Sequence, residues 1–121
     1  MKLLDAVFAV SPAVRYVALY QEGRLTSRQR SDLVAASASE SDKYEELIVN
    51  PTLITLVRQR GEIDCGGLQY ALIRYGSFFE FVQPLEDGHL SVGIEPTADV
   101  TALAAGIRAL EPVARVLGTA R

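Results

Sequence analysis

The apolar positions along the chain change period several times, and each change marks an element. Leu3, Leu4, Val7, Phe8 and Val10 recur at helical spacing and predict an opening helix over 2–10. Ser11-Pro12 ends it, because the residue before a proline is pushed out of the helical region. Val14 to Tyr20 is rich in Val, Leu and Tyr and reads as a strand. Gln21-Glu22-Gly23 reads as a turn with glycine taking positive φ, and Arg24 to Arg30 as the returning strand of a hairpin. Residues 31–41 are small and polar and read as a loop. Asp42 and Glu45 have the spacing of a capping box, which predicts a helix start at Asp42. Asn50-Pro51 interrupts that helix and suits a restart, with Asn as N-cap and Pro at the first helical position. A kinked or broken helix over about 42–60 follows, with Gly61 as its C-terminal stop.

Cys65-Gly66-Gly67 leads into a strand from Leu68 to Tyr75, then a Gly76-Ser77 turn. Phe78 to Gln83 reads as the next strand, bounded by Pro84. Glu86-Asp87-Gly88 is a hairpin turn. From His89 to Glu95 the alternation is clean, with Leu90, Val92 and Ile94 on one side and Ser91, Gly93 and Glu95 on the other. Asp99 heads a last helix over about 100–110. The order α-β-β-α-β-β-β-α implies an α+β fold, with a five-stranded antiparallel sheet flanked by helices. Strand 68–75 is apolar at both parities, so helices are expected on both faces. No repeat or linker divides the chain, so residues 1–121 are read as one domain, with a core over about 2–110 and a ragged tail over 111–121.

Composition narrows the chemistry. With 12 basic and 15 acidic side chains the formal charge is −3, which disfavours nucleic acid binding because phosphate neutralisation needs clustered cations. The N-terminus has no full signal-peptide pattern and no window reaches the ~18 apolar residues of a membrane helix, so a cytoplasmic chain without membrane insertion is expected. A single cysteine, Cys65, and a single histidine, His89, leave no cysteine-based metal cluster. That pair reads as a small buried thiol and a surface turn histidine. Glu40, Asp42, Glu45 and Glu46 crowd one helix start, where acids meet the positive end of the helix dipole. Ser37, Ser39 and Ser41 precede the same helix without the Gly-Lys-Ser/Thr of a phosphate loop. Arg24, Arg28 and Arg30 fall on one face of the second strand and are the polar contact candidates. No catalytic residue, cofactor or metal ligand emerges, and no enzyme is expected.

Several local signatures resemble the Roadblock family, the dynein light chain-type domain of profilin-like fold. They are the opening LLDAVFAV helix, the VRYVALYQEGRLTSR hairpin, the long central helix, and the closing LQYALIRYGSFFEFVQPLEDGHLSVGIEP meander followed by ADVTALAAGIRAL. The resemblance covers about residues 2–110 and is that of a divergent, bacterial-type member. It implies a non-enzymatic adaptor that dimerises through the central helix and the third strand, and that scaffolds or regulates a small Ras-like GTPase. The residues themselves add an apolar surplus over Pro51–Val57, spread over more than one helical face, which suggests burial against a second chain. A homodimer is therefore expected, with Leu53, Ile54, Val57, Leu68, Tyr70, Leu72 and Ile73 as interface candidates. The alternative is a signalling domain that senses a small molecule held between helix and sheet, with Tyr16, Tyr20, Tyr70 and Tyr75 available to line its pocket.

Overall fold

A computed structural model describes residues 2–31 and 39–116. Helix α1 (Lys2–Val10) is followed by strands β1 (Val14–Gln21) and β2 (Arg24–Gln29). Helix α2 (Ser39–Tyr44), a π-helical segment (Glu45–Val49) and helix α3 (Asn50–Asp64) come next. Strands β3 (Ala71–Arg74), β4 (Phe79–Leu85) and β5 (Gly88–Ile94) precede α4 (Val100–Arg108) and α5 (Glu111–Val116). The five strands form one antiparallel sheet in the order β2-β1-β5-β4-β3. The expected α+β architecture is the observed one.

The register assigns every strand residue to a face, because opposed residues point the same way. Val17 lies opposite Val92, Leu19 opposite Leu90, and Phe81 opposite Val92. This set packs with Leu4 and Val7 of α1 and with Ala104 and Ile107 of α4 into a dry core. Asp99 caps α4 by accepting from the Ala102 amide at 3.2 Å. Arg108 at the end of α4 donates to Gln83 Oε1 and Gln69 Oε1, which pins the link into β3. The opposite face carries Tyr16, Ala18, Glu80, Val82, His89 and Ser91, and the central helix covers it.

Several expected boundaries move, each for a physical reason. The central helix begins before Asp42, at Ser39, so Asp42 is no cap; its carboxylate accepts from Gln29 Nε2 instead. Asn50-Pro51 does not break the helix either. Tyr44, Val49 and Asn50 all keep right-handed helical dihedrals, and the Asn50 amide reaches back five residues to Glu45 O. The widened π turn sits just before Pro51, whose ring would crowd the Leu47 carbonyl in a regular α-helix. Nor does Gly61 stop the helix. It is buried inside α3, where a Cβ would lie 3.2 Å from Gly67 C and Leu68 N; the chain turns away later, through Gly66 (φ +81°) and Gly67 (φ +86°). The expected strand 68–75 is ordered as a strand only over Ala71–Arg74, and Pro84 lies inside β4 rather than at its end. Residues 111–116 are helical rather than ragged; residues 117–121 and most of the expected 31–41 loop, with Ser37, lie outside the described residues.

Of the described glycines, Gly88 leaves the least room for a side chain. It opens β5 opposite Gln21, and a Cβ there would stand 1.8 Å from the Tyr20 carbonyl oxygen. Gly88→Ala should therefore force β1 and β5 apart and cost about 3 kcal/mol, the upper end for overpacking. Urea unfolding of the variant checks this, and a midpoint equal to that of the native chain would contradict it.

Candidate functional site

Between the central helix and the sheet lies a layer of buried polar side chains. Glu46, in the π turn, has 0% of its surface exposed, and His89, at the start of β5, has 1%. Their side chains meet at 2.7 Å, Glu46 Oε1 to His89 Nε2. Asn50 Nδ2 donates to the same carboxylate oxygen at 3.0 Å. A carboxylate here takes the amide and a proton-bearing imidazole nitrogen as its two donors. Removing one partner and leaving the other buried without a hydrogen bond generally costs about 1–3 kcal/mol. Glu80 is also buried and accepts from the Ser91 hydroxyl at 2.5 Å. Burial, and then the charge of Glu46, raises the Glu80 carboxyl well above its usual range.

Next to this layer is a cavity of about 450 Å³. The π turn and α2 supply Glu46, Glu45, Tyr44, Asp42 and Ser41 to its wall, and β1 supplies Arg15 and Tyr16. A β-bulge explains that adjacent pair. The β1–β5 register shifts between Val14 and Tyr16, so neighbouring residues that would alternate both reach the same cavity. Arg15 is held by Glu95 at 3.0 Å, and its guanidinium lies 5.9 Å from the centre of the Phe78 ring. The Tyr75 hydroxyl donates to Glu45 at 2.8 Å. Burial first, then the acids nearby, raise the Tyr16 phenol above its ordinary value. Its hydroxyl sits beside Glu46 as the nearest donor to that carboxyl, in a contact too loose for a full hydrogen bond; among the described residues Asn50 Oδ1 is also buried without one. Among the described residues no three His, Cys, Asp or Glu side chains gather to hold a metal ion.

The candidates read from the sequence are scattered over the fold. His89 is buried and Cys65 is exposed, the reverse of the expected pair, because the polar side of β5 faces a helix and Cys65 follows the end of α3. Three of the four crowded acids turn toward the sheet, and their positions reflect specific partners more than the helix dipole. Arg24, Arg28 and Arg30 do not form a free row. Arg28 pairs with Asp5 at 2.8 Å and covers the Phe8 ring at 4.7 Å. Arg30 lies beyond β2 and joins Glu95 at 2.8 Å and the Pro12 carbonyl at 2.7 Å. Arg24 remains exposed. Ile54 is buried against the rest of the chain, so it does not reach the surface expected of it. Leu53, Val57, Leu68 and Ile73 are half-buried, and Tyr70 packs on Phe81 beneath Arg108. Leu72 is exposed on the edge strand β3. Sequence reasoning missed Tyr44, Leu47, Ile48 and Ile63, which with Leu56 leave a row of large apolar side chains exposed on the outer side of the central helix. Their spacing of four, eight and seven residues from Tyr44 through Ile48 and Leu56 to Ile63 carried that signal.

No family model matches the chain, and no curated protein does. Solved structures do. A Roadblock/LC7 domain from Streptomyces avermitilis aligns with a TM-score of 0.67 over 94% of this chain and 96% of that one, at 16% identity. This chain has the Roadblock/LC7 fold. MglB in a tetrameric arrangement aligns at 0.69, with 15% identity over 95% of this chain and 85% of that one. The gliding protein MglB from Thermus thermophilus aligns at 0.68, with 15% identity over 98% and 88%. Within the Roadblock/LC7 fold of this chain, the buried polar layer lies under the central helix and the apolar row lies on its outer side.

The raised Glu80 makes stability depend on pH. A carboxyl that holds its proton more tightly when folded contributes stability that is fully present below its unfolded value, near 4.5. That contribution is lost as the pH climbs from there through the raised folded value. Glu80→Gln should keep the Ser91 hydrogen bond and remove the loss. Its melting temperature relative to the native chain should rise between pH 4.5 and pH 7.5, by several degrees for about 1 kcal/mol. Parallel curves for the two proteins would refute it.

Proposed function

We propose that this chain is a non-enzymatic, cytoplasmic adaptor of Roadblock type that works as a homodimer and regulates or scaffolds a small Ras-like GTPase. The observation that carries the reading is the exposed apolar row on the central helix. Leu56 is 61% exposed and Ile63 is 76% exposed, beside Tyr44, Leu47 and Ile48. A small chain with a sufficient core elsewhere gains nothing from such a row unless another surface covers it. The occupant that fits is a second copy. Among the described residues strand β3 ends the sheet with one side unpaired, and Leu72 on it is exposed, so helix and edge strand offer two seams to the same mate. Leu53, Val57 and Ile73 flank those seams half-buried. One similar structure, MglB, is described in a tetrameric arrangement, which supports self-association as the use of this fold. The GTPase rests on the Roadblock resemblance of the sequence. Among the described residues no helix is long and apolar enough to cross a membrane.

Light scattering on a sizing column tests the reading. The native chain should elute with a mass near twice 13.2 kDa. The double variant Leu56→Glu, Ile63→Glu should elute as a monomer with its far-ultraviolet spectrum unchanged, since both side chains are exposed. Leu72→Arg should weaken the dimer about tenfold or more at the strand seam. A native chain that stays monomeric up to about 100 μM, well above an ordinary dimer constant, would remove the main support for an adaptor.

A further inference from the structure

The inner side of the same helix roofs the cavity, and the dimer has no need of that cavity. We propose that it is a binding site for a small organic cation bearing a guanidinium or primary ammonium group. The first argument is the poorly met acceptor. Glu46 is wholly buried and lines the cavity; its Oε1 has two partners, whereas among the described residues Oε2 has only a loose contact with the Tyr16 hydroxyl. Leaving a buried polar atom poorly met is costly, and more so for a charged one. A ligand that brings several N–H groups supplies Oε2 with the well-aligned donor it lacks.

Charge points the same way. Asp42, Glu45 and Glu46 line the space beside Glu80, whose raised carboxyl keeps its proton; among the described lining residues the one cation is Arg15, which Glu95 holds. An anion would meet these acids without a free counter-charge. A metal ion lacks its ligand set among the described residues. The walls suit an organic cation further, because Tyr16, Tyr44, Tyr75 and Phe78 present aromatic rings, and cations are drawn to ring faces. Phe78 already has the Arg15 guanidinium 5.9 Å from its centre. The volume, about 450 Å³, falls in the range of small-molecule pockets.

Three backbone features converge on this space. The π turn carries Glu46 at the roof, and such turns recur at functional sites. The bulge turns Arg15 and Tyr16 inward together. Gly93 forms part of the floor, where a Cβ would lie 3.3 Å from Tyr16 Cβ and 3.6 Å from the Phe78 ring. A larger residue would fill the gap between those two rings.

Calorimetric titration of the full chain with agmatine tests the proposal. Agmatine carries both cationic groups, and N-butylurea serves as the neutral control. Saturable binding is expected at one agmatine per chain, with a Kd of about 0.1 mM or tighter and no saturation by butylurea. Glu46→Gln should weaken agmatine about tenfold or more. Tyr16→Phe is the second variant, should the first not fold. It should also weaken agmatine, while the ligand-free melting temperature stays level or rises because a poorly matched hydroxyl is gone. A purely structural Tyr16 would give the opposite, a lower melting temperature with unchanged binding, and would count against the site. Capped arginine, acetyl-arginine-methylamide, separates a free cation from an arginine side chain of a protein partner. Binding of capped arginine without agmatine would overturn the small-molecule reading. So would no saturable uptake of agmatine below about 10 mM, or equal binding by the native chain and both variants.

Discussion

A carboxylate enclosed between a helix and a sheet has to be matched where it stands, and Glu46 is matched by His89 at 2.7 Å and Asn50 at 3.0 Å. That match ties together three parts of the chain. His89 fixes the start of β5, Glu46 fixes the π turn, and Asn50 fixes the first residue of α3. The sheet therefore has two unlike faces. One is dry and is closed by α1 and α4. The other is polar and is closed by the central helix at a set rotation and height, because sliding the helix would leave a buried charge without its donors. Apolar packing tolerates small shifts in register; a buried carboxyl held by two hydrogen bonds tolerates very little.

The irregular backbone lies where the polar layer is. A proline in a long helix demands a local adjustment, and here the adjustment is a wider turn that places Glu46 inward. The bulge in β1 adds a residue opposite β5 and brings Arg15 beside Tyr16 at the edge of the same layer. Glu95 then gathers Arg15 and Arg30, and these two arginines hold its carboxyl below the ordinary range, with Arg30 the stronger influence. Each departure from regular geometry costs something on its own. The π turn and the bulge both border one cavity.

The central helix thus has two sides with different chemistry. Its inner side carries a charge, an amide and Ile54 against the sheet, and its outer side leaves Tyr44, Leu47, Ile48, Leu56 and Ile63 exposed. Because Tyr44 belongs both to the outer row and to the cavity wall, the two surfaces meet at one residue. Self-association on the outside and ligand binding on the inside would then act on the same short stretch of helix. The exposed edge at β3 lies at the end of the sheet away from β2, whose own edge carries Arg24 and Arg28 and is guarded by charge.

Periodicity along the chain was enough for the types and order of the elements up to α4 and for the antiparallel sheet, though not for α5, because helical and strand spacings are local properties of neighbouring residues. The clean alternation of β5 even announced that Ser91, Gly93 and Glu95 share a side. It did not announce that this side is buried under a helix, so a buried histidine read as a surface one. Asp42 and Gly61 looked like helix ends by their residue types, yet Gln29 and the Gly67-Leu68 backbone decided their roles from across the fold. Arg28 and Arg30 looked like a free row until α1 and Glu95 took them. The exposed row at Tyr44, Ile48, Leu56 and Ile63 was written in the spacing, but a π turn shifts phase along a helix, and only the folded chain showed which side remained outside. Which polar groups meet is set by distances between residues far apart in sequence, and no local pattern contains those distances.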